Sequence, residues 1–237
     1  MATYINCEKL REDRQKENNT IVFRALITKD LVLIKKHCNS YELDRVLAEL
    51  NQYGTITLEQ LLYKCSVDFI YAMALAGRIS KVASRQGTQD ERYILKKCNE
   101  TLSPVGIKVE NLTTTAFRPT KDGRILTNNE YKKSGLKKND CLKSFDAHLS
   151  GLVNGWVFAK VAYGTGGHQD NVFSEAHEFG EWVKKYRKPN ELYVILIDTD
   201  LTSQFEELRQ KFEEQVLVCN HFEFQHWLLN WAKQYIL

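Results

Sequence analysis

The segment Glu191–Asp200, ELYVILIDTD, constrains the fold more than any other stretch of the chain. It is a continuous apolar run of strand length. A strand with that pattern is buried on both faces, as in the parallel part of a sheet. Such a sheet needs cover on each side, and the flanking sequence supplies it. Upstream, a helix is expected over roughly residues 169–186, stopped before Pro189. Downstream, SQFEELRQKFEEQ and FEFQHWLLNWAKQYI are amphipathic helices, with the short strand VLVC between them.

Earlier in the chain, CLKSFDAHLSG and WVFAKVAYG are strand-length segments joined by LVNG, a hairpin-type connection. SRQGTQDERYILKKCNETL opens a new unit. Gly87 breaks what precedes it, Thr88 offers a cap, and Asp90 and Glu91 fall in a first turn where the helix dipole favours acids. Residues 106–118 have strand character. From Thr88 the order is therefore α, β, β, β, α, β, α, β, α. It predicts an α/β domain over residues 86–237, with a mixed central sheet flanked by helices.

Residues 1–85 form a mostly helical N-terminal region in this reading. YELDRVLAELNQYG places Leu43, Val46, Leu47 and Leu50 on one face, and Thr57 with Gln60 is a capping-box signature. Two helices meeting at CSVD fit either a helical hairpin packed on a core or a weak helix-turn-helix. The 43% hydrophobic content excludes general disorder. The six cysteines are scattered, without CxxC or zinc spacing, and are expected to be reduced thiols. The N-terminus is polar, and no stretch is long and apolar enough to span a membrane. A soluble, cytoplasmic protein is expected.

A net charge of +3 does not by itself announce a nucleic-acid binder, and its distribution along the chain is more informative, fitting either a phosphate-binding segment or a solvated loop face. Between Lys108 and Lys143 there are nine Lys or Arg against four acids, so this segment alone carries a surplus of five. Within it Arg118, Lys121 and Arg124 flank the turn PTKDG, and Lys132 and Lys133 follow; Arg85 precedes it in the chain. Asp146 and Lys160 fall on the two hairpin strands. The segment GTGGHQDN follows Lys160, where glycines allow a close backbone approach to phosphate. His168, Gln169 and Asn171 offer hydrogen bonds to phosphates or base edges there. Asp198 and Asp200, at the end of the apolar run, occupy a common ligand position in α/β sheets, but no glycine-rich nucleotide loop accompanies them.

An Asp and a Lys on adjacent strands, an acid on the helix before them and a helix after them resemble the PD-(D/E)xK nuclease superfamily. FAKVAYGTGGHQDNVFSEA is similar to type II restriction endonucleases, and SRQGTQDERYIL resembles their first core helix. The resemblance spans about residues 84–200. It implies a Mg²⁺-dependent, site-specific endonuclease of double-stranded DNA, acting as a homodimer, with the N-terminal region gripping DNA or forming the dimer. Asp146 would bind the metal and Lys160 would position the attacking water. The family places Asp or Glu two residues before the lysine, where this chain has Phe158. The second carboxylate is then expected from Glu175, Glu91 or Asp170, in that order. Alternatives are a repair or recombination nuclease, and a catalytically inactive DNA-binding protein on the same fold.

Overall fold

The computed structural model describes residues 5–80, 86–113, 115–163 and 167–236; the side chains of residues 7, 86–88, 167–170 and 235–236 lie outside the description. Two compact units form, one over Glu8–Gln86 and one over Met1–Cys7 together with Gly87–Leu237. The first is helical: α1 (Cys7–Thr28), α2 (Leu31–His37), α3 (Ser40–Leu50), α4 (Leu58–Val67) and α5 (Phe69–Ile79). Side chains close the helix starts. Asp30 accepts from the amides of Val32 and Leu33, and Asn39 accepts from that of Tyr41. Thr57 and Gln60 complete their reciprocal box. Val22, Leu26, Ile34, Val46, Leu61, Leu75 and Ile79 make the core of this unit. Asp68 alone separates α4 from α5, ending one helix and capping the next. A helix-turn-helix uses a turn of about 3–4 residues, so this junction is a packed helix pair.

The second unit contains α6 (Gln86–Leu102), β1 (Ile107–Asn111), β2 (Phe117–Pro119), β3 (Ile125–Thr127) and α7 (Asn128–Ser134). It continues with β4 (Ala147–Gly151), β5 (Gly155–Ala162), α8 (Gly167–Tyr186), β6 (Leu192–Thr199), α9 (Thr202–Phe212), β7 (Leu217–Cys219) and α10 (His221–Ile236). The main sheet has five strands in the order β1-β4-β5-β6-β7. β1, β4 and β5 run antiparallel; β5, β6 and β7 run parallel. The chain is therefore α/β with a mixed central sheet.

Both faces of β5 and β6 are covered, as the apolar run in β6 requires. On one face Trp156 and Phe158 pair in register with Tyr193 and Ile195, and all four pack with Phe179, Trp182, Phe205 and Phe212 of α8 and α9. The other face carries Val157, Ala159, Val194 and Leu196, also buried. α10 packs on β6, and Gln225 of α10 donates to the Cys98 thiol of α6 at 3.6 Å.

The strand expected over 106–118 is divided. β4 supports β1 only as far as Ala147, opposite Asn111, and the last bond is from the Leu112 amide to the Asp146 carbonyl at 2.9 Å. Beyond that point β1 has no ladder partner, and the chain turns, the Ala116 amide donating to the Thr113 carbonyl. β2 and β3 form their own two-stranded sheet, which with α7 makes a small module inserted between β1 and β4. The module is fastened to α8. Trp182 Nε1 donates to the Thr120 carbonyl at 2.7 Å, and Tyr186 Oη to that of Lys121 at 3.0 Å. Gly123, at φ +94°, leaves room for the Tyr186 ring. α6 begins at Gln86, so Gly87 and Thr88 lie inside it rather than before it.

Candidate active site

Three elements bring an acid–lysine–acid group together. The Lys160 ammonium, near the end of β5, lies 3.2 Å from Glu91 Oε1 on α6 and 3.3 Å from Asp146 Oδ2 just before β4. It also donates to the Ala159 carbonyl at 2.8 Å. Lys160 and Glu91 are each 15% exposed and Asp146 is 24% exposed, so the group is largely withdrawn from water.

Local structure explains each position. Asp146 Oδ2 accepts from the Ala159 amide at 2.9 Å. The β4 ladder opposite β5 runs only from Leu149 to Ala147, and the carboxylate takes over from backbone carbonyls at that point. Glu91 precedes Ile94, Leu95, Cys98 and Leu102, the buried stripe of α6, by helical steps of three and four. An acid in line with an apolar stripe is carried inward. Lys160 sits two residues after Phe158 on the same strand face, and its ammonium stands 4.7 Å from that ring's centroid. Phe158 is buried and stacks on Phe179, with centroids 5.6 Å apart. Where the resemblance calls for an acid, this chain therefore has an aromatic floor beneath the lysine.

One ammonium between two buried carboxylates leaves an excess of negative charge. Burial, and then the nearby Asp146 and Glu175 charges, push Glu91 up from 4.5 to about 7 even with Lys160 alongside. Burial also raises Asp146, against the pull of Lys160 and the Ala159 amide. Burial alone would lower Lys160, but Asp146 and Glu91 outweigh it and raise its proton affinity.

Glu175, ranked first by the resemblance, is not on Lys160. Its Oε1 lies 3.2 Å from the Lys143 ammonium. Lys143 belongs to the basic segment, but nothing in its spacing marked it as a neighbour of the carboxylates. The side chains of His168, Gln169 and Asp170 and the whole of Arg85 lie outside the described residues, and Asn171 is exposed at the start of α8.

The basic residues of the inserted module divide by role. Arg124 is held by Asp122, with Nη2 at 2.6 Å from Oδ2, and its guanidinium keeps Asp122 well below the usual carboxylate range. Arg118 stacks on Tyr131, 4.7 Å from the ring centroid. Lys121, Lys132 and Lys133 are exposed.

Asp198, weighed as a ligand position, is fully buried and serves the fold. Its Oδ1 accepts from the His221 amide at 3.0 Å and its Oδ2 lies 2.5 Å from His221 Nδ1. A separate groove, lined by Val216, Phe222, Trp227 and Trp231, runs between α9, β7 and α10, away from Lys160.

Among the described residues no cluster of three or more His, Cys, Asp or Glu is placed to hold a metal ion. Mg²⁺ does not need one, because it commonly keeps several waters and uses one or two carboxylates with substrate phosphates. Glu91 and Asp146 are hard oxygen donors facing one point, which Lys160 now fills with positive charge, and they fit that class. No family model, no curated protein and no solved structure matches the chain. No helix of the described residues is long and apolar enough to cross a membrane.

Proposed function

We propose that this protein is a Mg²⁺-dependent endonuclease that hydrolyses phosphodiester bonds of double-stranded DNA, on a restriction-endonuclease-like fold. The observation that carries the reading is the Glu91–Lys160–Asp146 group at one end of β5. It lies within an α–β–β–β–α–β succession whose first three sheet strands are antiparallel and whose next is parallel. Glu91 and Asp146 would hold the metal. Bound there, Mg²⁺ would supply Lewis-acid stabilisation of charge on the phosphoryl oxygens. Lys160 positions the attacking water and donates toward the phosphate.

The exposed lysines of the inserted module are the proposed phosphate contacts, since backbone phosphates are bound mainly by such charges. A type II mode of action follows if the enzyme works as a twofold dimer on a twofold site. Buried Phe158 favours one second reading, a DNA-binding protein without cleavage, because a core ring replaces the expected acid. Incubation with a long duplex separates the two. Cleavage that needs Mg²⁺ and stops in EDTA supports the nuclease. Intact DNA of shifted mobility, with or without EDTA, supports the binding protein.

A further inference from the structure

Lys143 and Glu175 stand beside the proposed centre as a second ion pair, and their surroundings are unequal. The Lys143 side chain is 62% exposed and that of Glu175 26%. The ammonium therefore lies on the solvent side, while the carboxylate is set inward. Glu175 lies one turn after Val172 and one turn before Phe179, both buried, on the packed side of α8. The Lys143 backbone is fixed on either side: the Leu142 amide donates to the Pro119 carbonyl at 2.9 Å, and the Phe145 amide to that of Phe117 at 3.1 Å. Only the flexible lysine side chain is free to reorient. Phe179, one turn on from Glu175, stacks on Phe158, the ring beneath the Lys160 ammonium, which sets Glu175 on the stretch of α8 nearest the Lys160 end of β5.

We propose that Lys143 is a positioning residue that withholds Glu175 from the cation site until a DNA phosphate takes the lysine's ammonium; this rests on the nuclease reading above. An ion pair with so exposed a member is weak and exchangeable. A phosphodiester competes for the same ammonium with the same charge. Once Lys143 turns to the phosphate, Glu175 loses its partner beside two other carboxylates, and that concentration of negative charge favours a divalent cation. DNA and metal then each raise the affinity for the other, as linkage requires.

The test is a calorimetric Mg²⁺ titration of the full chain without DNA. Lys143→Ala should lower the Mg²⁺ Kd by about threefold to fivefold, the range of an exposed ion pair. Lys143→Arg, which keeps the pair, should match the wild type. In Lys143→Ala/Glu175→Gln the gain should vanish. An unchanged or raised Kd in Lys143→Ala overturns the proposal. So does a gain that survives in the double variant, which would mean only a general loss of positive charge. Asp146→Asn separates the two levels. If it abolishes Mg²⁺ binding while Lys143→Ala does nothing, the positioning role alone falls. If no variant alters Mg²⁺ binding, or no protein binds Mg²⁺, the nuclease reading falls with it.

Discussion

Lys160 occupies an interior that would ordinarily exclude a charge, and it does so by meeting Glu91 and Asp146 together. The arrangement makes stability depend on pH through Glu91. Its proton affinity rises from 4.5 to about 7 on folding, so between those values the native state holds a proton that the unfolded chain has released. Stability is therefore expected to fall as pH rises through this window, by about 1–3 kcal/mol in total from this group. Urea denaturation at pH 5 and pH 8 reads the difference, and Glu91→Gln should flatten it. Stability that rises over this interval for Glu91 relative to Glu91→Gln would contradict the charge count. The sequence displayed Lys160 as an anomaly in an apolar strand. Its partner was legible too, as an acid in register with Ile94, Leu95 and Cys98, but the resemblance ranked Glu175 ahead of it. Distance along the chain could not show that α6 delivers its acid to the end of β5.

Among the elements, β6 was the most legible, because an uninterrupted apolar run leaves few alternatives to a covered parallel strand. The break after β1 was not legible. It depends on where β4 ceases to offer a partner, which is a property of the sheet and not of residues 106–118. The attachment of α10 rests on another such long-range contact, with Asp198 of β6 binding the amide and ring of His221. Asp198→Ala would leave that amide and ring without their acceptor in a buried setting. A loss of about 3 kcal/mol in urea denaturation is expected, with Asp198→Asn costing less because it keeps an acceptor for the amide. Gly155, where β5 meets both β4 and β6, is a second sensitive point. A Cβ there would run into the carbonyl oxygen of Leu192 in the facing strand. Gly155→Ala should cost about 2 kcal/mol or more, checked by the same denaturation midpoint.

Across the whole molecule, charge is concentrated rather than abundant. The surplus of five between Lys108 and Lys143 exceeds the net charge of the entire chain, so the remaining residues are slightly acidic. The module bearing most of these charges is rooted at Asp146 through the Leu112–Asp146 bond and fastened to α8, which places it next to the proposed centre. Phosphate contacts made there should show in the salt dependence of DNA binding. Lys132→Ala/Lys133→Ala should weaken binding and reduce the slope of log K against log salt by up to about two. An unchanged slope would move the DNA path elsewhere. The sequence revealed this asymmetry but not its internal divisions. Arg124, counted among the free charges, is spent on Asp122, while Lys143 is turned toward Glu175. The central claim is that Glu91, Asp146 and Lys160 form one hydrolytic centre. It is tested most directly by digesting a long duplex with Mg²⁺, comparing wild type with Lys160→Ala at matched DNA occupancy. Discrete fragments from the wild type, and a rate at least about a hundredfold lower from a Lys160→Ala protein that still binds DNA, are the predicted result. Equal cleavage by the two proteins, or none by the wild type, would contradict it.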